Sequence, residues 1–288
     1  MKDQFSNWVL LLLLSLIWGS SFILMKLGMR DFSSNQVAAL RLTFALLFVL
    51  PFWFFHYKKE HLSLWKYFLA SAVFGNLLPA FLFTMAETGI SSSMAGMLNS
   101  FTPMATLLLG ALVWKNKAGL FSKLGVITGL AGACGLFFFD DAEGADSLLF
   151  SCLVLIATIC YGFSVNVIRQ YLANVNPVTN TVWSMSMAGI PAAIYLAFDP
   201  PALDSDMGIQ SLESLGYIAI LGVIGSAVSV ILFNQLIRTS SALFASSVTY
   251  LIPVVAVFWG IAFSEKIEPM QYVSMCLILF GVWLINKK

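Results

Sequence analysis

Charge is scarce in this chain. Lys, Arg, Asp and Glu make up 10% of its 288 residues, against about 25% in soluble domains, too little to coat a water-facing surface of this size. Histidine is scarcer still: His56 and His61 flank a lysine-bearing loop, which suits a solvated or headgroup position and not a ligand pair. The four cysteines, Cys134, Cys152, Cys160 and Cys276, show no CxxC or Cys/His spacing, so no metal site is expected. Each falls in an apolar run, as a small buried hydrophobe does. A phosphate-binding glycine loop and a nucleophile elbow are both missing. An intramembrane enzyme would need a nucleophile–base pair or metal cluster at one depth, and the sequence offers none; no cofactor is implied. Connectors are short, the longest being the roughly 16 residues from Asp199 to Ser214, which leaves no soluble domain for catalysis or binding. A net charge of +1 implies no nucleic-acid partner.

What is present is apolar sequence. Hydrophobic residues reach 59% and mean hydropathy is +0.89. Ten runs cover almost the whole chain: Asn7–Leu27, Asn35–Phe55, Leu64–Ala86, Ser91–Val113, Lys123–Phe139, Ser147–Tyr171, Pro177–Phe198, Leu215–Ile237, Ala242–Ala262 and Met270–Ile285. A bilayer core about 30 Å thick needs about 20 apolar residues per helix. Barrel strands alternate apolar and polar over about 10 residues, and these runs do not. The expectation is an all-α membrane protein with ten transmembrane helices. Lys26 and Arg30 follow the first run, with no small-x-small cleavage site, so that run is expected to remain as a helix.

The connectors sort by charge. With the N-terminus cytoplasmic, the inner segments hold Lys2, Lys58, Lys59, Lys66, Lys115, Lys117, Lys123, Arg169, Arg238, Lys287 and Lys288, and the outer ones only Lys26, Arg30 and Lys266. Arg41 falls inside a run. Twelve of the 14 acidic residues lie outside, among them Asp141, Asp204, Glu87 and Glu265. The positive-inside rule then puts both termini in the cytoplasm.

The chain also repeats itself. A shift of 143 residues lays Trp18-Gly19-Ser20-Ser21 on Tyr161-Gly162-Phe163-Ser164, and Lys26 on Arg169. A shift of 150 lays Gly75, Leu82, Phe83, Ser91, Ala95, Pro103 and Gly110 on Gly225, Leu232, Phe233, Ser241, Ala245, Pro253 and Gly260. Two five-helix units, 1–140 and 141–288, follow. Five is odd, so the second unit enters from the opposite side, the inverted repeat that gives carriers two related conformations about a midplane site.

Trp18-Gly19, Arg41 near the start of the second run, the Ser/Ala/Gly stretches leading to Pro103 and Pro253, and Ser264-Glu265 resemble the drug/metabolite transporter superfamily, EamA type. The resemblance covers essentially the whole chain. It implies a bacterial inner-membrane carrier, in a family many of whose members export amino acids and other metabolites. The family often carries Gly-Glu at the ends of helices 4 and 9; here helix 9 keeps Glu265, but helix 4 has Trp114-Lys115.

Candidate pathway residues come from depth and facing. Helix 4 presents Ser92, Ala95, Gly96 and Asn99 at i, i+3, i+4, i+7, and helix 9 presents Ala242, Ala245, Ser246 and Thr249 equivalently. Such stripes serve close helix packing as readily as a pathway. Each precedes a proline, Pro103 or Pro253, expected to kink the helix as a gating lever. The inverted arrangement puts Asn99 toward the outside and Thr249 toward the inside. Trp18, Asn76, Tyr161 and Ser226 fall within a few Å of the midplane, with Ser21 and Ser164 beside the two aromatics. A mid-membrane Asn, Trp or Tyr needs a partner that lipid does not supply. Asn234, Gln235 and Tyr250 continue the lining inward. Arg41 reads as a paired structural charge near the outer interface, and Lys26 and Glu87 as solvated helix ends. With no carboxylate near the midplane, the site reads as neutral, polar and aromatic.

These readings converge on a secondary transporter in the cell inner membrane, an exporter of small amphipathic metabolites such as amino acids working by alternating access. Its partners would be a small-molecule substrate and the lipid bilayer, and it would be a monomer or a homodimer. A lipid flippase or a non-transporting scaffold is the alternative. Gly125, Gly129 and Gly132 give helix 5 a close-packing face for helix 10 or for a second subunit.

Overall fold

The computed structural model describes residues 2–115, 119–138, 145–201, 209–265 and 267–286. Lys117, Asp140, Asp141, Glu143, Asp204, Asp206, Lys266, Lys287 and Lys288, which carry part of the charge pattern, lie outside the described residues, as does the 140/141 repeat boundary. Among the described residues all regular structure is helical. Eight helical stretches are long and apolar enough to cross a membrane: α1 (Ser6–Gly28), α2 (Ser34–His56), α3 (Lys59–Ala86), α4 (Ser92–Trp114), α6 (Leu148–Tyr171), α7 (Pro177–Phe198), α8 (Ser211–Thr239) and α9 (Phe244–Ala262). Among the described residues two further long helices follow, α5 (Leu120–Phe138) and α10 (Pro269–Asn286).

The helix starts follow capping chemistry. Ser33 accepts from the Gln36 backbone N–H while the Gln36 side chain accepts from Ser33 N, a capping box that opens α2. Asn176 caps α7 through Val178 N, with Pro177 in the first turn, where its missing N–H costs nothing.

Solvation is inverted relative to a soluble protein. Large apolar side chains point outward, with Phe54 90% and Leu112 77% exposed, and Leu12, Ile156, Ile194 and Phe258 exposed too. Inside lie polar groups such as Ser15, Thr84, Asn166, Asn180 and Ser229. In lipid an outward Leu is solvated and an outward Asn is not, so this arrangement is stable only in a bilayer. The chain is a multi-pass membrane protein.

Packing places α1, α3, α4, α6, α8 and α9 around the centre, with α2 against α7 on one flank and α5 against α10 on another. The glycine face of α5 therefore meets α10. A Cβ at Gly281 would lie 2.6 Å from Gly125 O and from Gly129 N, and one at Gly132 would lie 2.7 Å from Ser274 O. Backbone meets backbone there, which in lipid is how helices gain dispersion contact.

Four stretches are irregular, in two pairs. A π-turn interrupts α3 at Val73–Leu77 and α8 at Val223–Val228. The helix α4 breaks at Ser100–Phe101, and α9 runs through a 3-10 turn at Ser247–Tyr250. Pro103 and Pro253 sit in the first turn of the segments that resume. The expected kink is thus a full interruption, with each proline starting a new helix where no N–H is needed.

Candidate functional site

A cavity of about 100 Å³ opens where these irregular turns meet. Nine of the expected pathway residues line it: Trp18, Ser21, Asn76, Asn99, Tyr161, Ser164, Ser226, Asn234 and Thr249. Tyr250 is not among the lining residues; it packs beside the apolar cluster that contains Phe22 and Ile252. Gln235, Pro103 and Pro253 do not line it either.

The π-turns explain two polar members. An i→i+5 turn leaves a backbone carbonyl short of its usual partner, and such turns occur often at functional sites. Asn76 Nδ2 donates to Ser71 O at 3.1 Å, five residues back, and Ser226 Oγ donates to Leu221 O at 3.1 Å, also five back. Neighbouring glycines let the helices close in. A Cβ at Gly75 would lie 2.5 Å from Ser164 Oγ on α6, and one at Gly225 would lie 3.0 Å from Ser21 Oγ on α1.

Aromatic groups are held by specific partners. Trp18 Nε1 donates to Ser229 Oγ at 3.0 Å and reaches Gly225 O at 3.2 Å, its ring edge-on to Phe233. Tyr161 stacks on Phe83, centroids 5.9 Å apart. Asn234 Nδ2 donates to Thr181 Oγ1 at 2.9 Å, while its buried Oδ1 has no protein partner.

Asn99 and Thr249 do not occupy opposite ends of a path. Ser100 Oγ donates to Thr249 O at 3.3 Å, so the two helix breaks meet at one depth.

Four expectations about charge are corrected. Arg41 is not paired near an interface: it lines the cavity, its Nε donates to Ser226 Oγ at 3.0 Å, and Nη1 lies 3.5 Å from Met25 Sδ. Among the described residues no carboxylate lies within 4.0 Å of it. The site is therefore cationic, not neutral. Lys26 is not simply solvated but bonds Glu265 at 2.9 Å. Glu87, between α3 and α4, is 4% exposed, where a solvated helix end was expected. Hydropathy reads burial in lipid, but not burial by neighbouring helices. His56, half-buried at the end of α2, bonds Thr179 Oγ1 at 2.9 Å.

Glu265 closes one end of the bundle. Its carboxylate accepts from Ser92 N (3.1 Å), Ser93 N (3.1 Å), Ser93 Oγ (2.7 Å) and Lys26 Nζ (2.9 Å). It caps the N-terminus of α4 from the end of α9, where orphan N–H groups and the helix dipole favour an anion. Burial alone would raise the Glu265 carboxyl, but the bonds from Ser93 and Lys26 outweigh it and hold it below the ordinary range. The aim comes from the turn that ends α9. Ser264 sits at φ 62°, and Glu265 N bonds back to Gly260 O at 2.8 Å, a Schellman closure.

Among the lining residues that sequence reasoning missed, Arg41, Ser71 and Thr102 bring polar groups, while Ser246 comes from the helix 9 stripe. Only Arg41 left a signal, as the lone charge deep in an apolar run.

A family model described as the EamA-like transporter family matches residues 6–138 and 148–287. An uncharacterized transporter of Archaeoglobus fulgidus is 23% identical over 284 residues, covering 98% of this chain and 99% of that one. The uncharacterized inner membrane transporter YedA of Escherichia coli K12 is 25% identical over 278 residues, covering 95% and 88%. A solved crystal structure superposes with a TM-score of 0.68 over 99% of this chain and 96% of that one, at 13% identity, a likeness of fold alone.

Proposed function

The chain belongs to the EamA-like transporter family, and from that premise we propose that it exports small amphipathic metabolites such as amino acids by alternating access. The observation that carries this reading is a single cavity lined from both halves of the chain, with Trp18, Asn76 and Asn99 from one and Tyr161, Ser226, Asn234 and Thr249 from the other. Arg41 sharpens it. A guanidinium without a carboxylate partner is a receptor for one, since charged groups away from water need a counter-charge. The aromatic rings of Trp18, Phe83 and Tyr161 suit the apolar remainder of an amino acid.

The same proposal includes ten membrane helices, with α5 and α10 completing the set, arranged as two inverted units, 1–140 and 141–288. Four observations support it. The π-turns at Val73–Leu77 and Val223–Val228 start 150 residues apart, the shift found in the sequence. The i−5 bonds of Asn76 and Ser226 match under it. The Gly75–Ser164 approach is repeated by Gly225–Ser21 with the halves exchanged. The family model also matches in two stretches. An inner-membrane location, with both termini cytoplasmic, follows from the lysine bias and from the printed description of the Escherichia coli relative.

The test is flux through purified protein in liposomes, screened over a metabolite panel. Asn76→Leu and Tyr161→Ala are expected to cut flux of any carried metabolite at least about tenfold, each removing about 1.4 kcal/mol or more of site interaction, with insertion intact. Wild-type flux in both variants overturns the site.

A further inference from the structure

Among the described residues, Glu87 is the one buried carboxylate whose two oxygens both lack a hydrogen-bond partner, and the pathway reading gives it no role. It lies in the connector from α3 to α4, 4% exposed. Lys26 on α1 is committed to Glu265, and Arg41 on α2 to Ser226. Both influence Glu87 electrostatically without reaching it. Ser92, on the first turn of α4, is close enough for its side chain to favour the charged form of Glu87, although its buried Oγ falls short of hydrogen-bond geometry with either carboxylate oxygen. Glu265 adds a second carboxylate, and α6 contributes the apolar Phe150 against Gly89.

An ionised carboxylate, dry and unbonded beside another, is unfavourable on two counts, lost hydration and like-charge repulsion. One proton on Glu87 removes both and gives the group an O–H to donate. We propose that Glu87 is a proton-binding site that couples the Lys26–Glu265–Ser93 cluster to protonation, with that cluster acting as a latch: Glu87 carries the proton while the latch is closed, and releases it to water when the latch opens. This inference rests on the transport reading for its consequence, proton-coupled export, but not for its chemistry.

The direction follows from linkage. Burial drives the Glu87 carboxyl well above the ordinary range; Glu265 pushes the same way, and Lys26, Arg41 and Ser92 oppose without reversing it. The closed latch binds the proton more tightly than the open, hydrated one. Closure is thus fully favoured at and below ordinary carboxylate pH and is lost as pH rises through the raised value. Deprotonation also places a second negative charge beside Glu265, which competes for Lys26.

Two measurements on the full chain in liposomes test this without any substrate. The first is the infrared C=O stretch of a protonated carboxyl, recorded from pH 5 to pH 9. Wild type is expected to show a band titrating above the ordinary carboxylate range, which Glu87→Gln abolishes and Glu265→Gln retains. The second is hydrogen–deuterium exchange at residues 92–96, corrected for the intrinsic pH dependence. Wild type is expected to lose protection about tenfold or more as that band disappears, while Glu87→Gln, a mimic of the protonated acid, stays protected. Absence of the band in wild type, its persistence in Glu87→Gln, or equal exchange in the two proteins at every pH overturns the proposal. Since neither readout involves transport, failure of the export reading is recorded separately. In that separate assay an equimolar mixture of the twenty amino acids is the probe, and wild-type flux is expected to respond to a pH gradient that Glu87→Gln ignores.

Discussion

Removing Glu265 tests how the gate end is held. Its carboxylate makes four contacts, two to backbone N–H groups at the start of α4, one to Ser93 Oγ and one to Lys26. Loss of a helix cap costs about 1 kcal/mol, within about 0.5–2, and a bond to a charged group contributes about 1.5–3 kcal/mol. The Lys26 contribution is discounted to below about 1 kcal/mol because its side chain is 43% exposed. Glu265→Ala is then expected to cost about 3 kcal/mol, chiefly through the buried N–H groups left bare. At roughly 2–4 °C per kcal/mol for a chain of this order, the melting midpoint in detergent falls by about 6–12 °C. Lys26→Met removes only the screened pair and is expected to lower it by no more than about 4 °C. Glu265→Gln falls between, keeping an acceptor but not the charge. The carboxyl is held below its ordinary range, so its contribution is present above that range and lost as pH falls through the lowered value. The gap between wild type and Glu265→Ala should therefore narrow as pH falls below the ordinary carboxylate range. Equal losses for Lys26→Met and Glu265→Ala would refute the reasoning, because the ion pair and not the helix cap would then carry the energy.

Three further outcomes are expected. Gly281→Ala forces a methyl against the α5 backbone, 2.6 Å from Gly125 O, and should cost about 1–3 kcal/mol; an unchanged melting midpoint would contradict the α5–α10 contact. Ser264→Gly relieves a left-handed residue at about 1–2 kcal/mol and should raise the midpoint by a few degrees; a fall would show that the Ser264 side chain is needed. Single cysteines replacing Asp141 and Asp204 should react with an impermeant maleimide from outside, and one replacing Lys117 from inside; the reverse pattern sinks the orientation.

The membrane class, the helix limits to within a few residues and nine of the cavity-lining residues were legible in the sequence. Hydropathy is a local property: a run of 20 apolar residues has one stable state in lipid whatever surrounds it. A mid-depth Asn76 or Trp18 must face protein for the same reason. The matching of Gly75 with Gly225 and Pro103 with Pro253 could be read without any coordinates, because sequence shift and helix depth share one ruler.

Partners could not be read that way. Lys26 and Glu265 are 239 residues apart, and nothing local to Lys26 distinguishes a solvated lysine from a paired one. Arg41 looked like an interface charge by its depth, and it lines the cavity because α8 brings Ser226 to its Nε. Asn99 and Thr249 were assigned to opposite ends by helix direction, yet Ser100, at the break in α4, meets Thr249 in α9. Glu87 is the sharpest case: next to a helix end, hydropathy makes it wet, while the convergence of α1, α2, α4 and the end of α9 makes it dry. The sequence alone determined which segments enter the bilayer and which residues must turn away from it. Only the tertiary structure decided which charges meet, because an ion pair, a cap across two helices and an orphaned carboxylate depend on the distance between segments that have no local knowledge of each other.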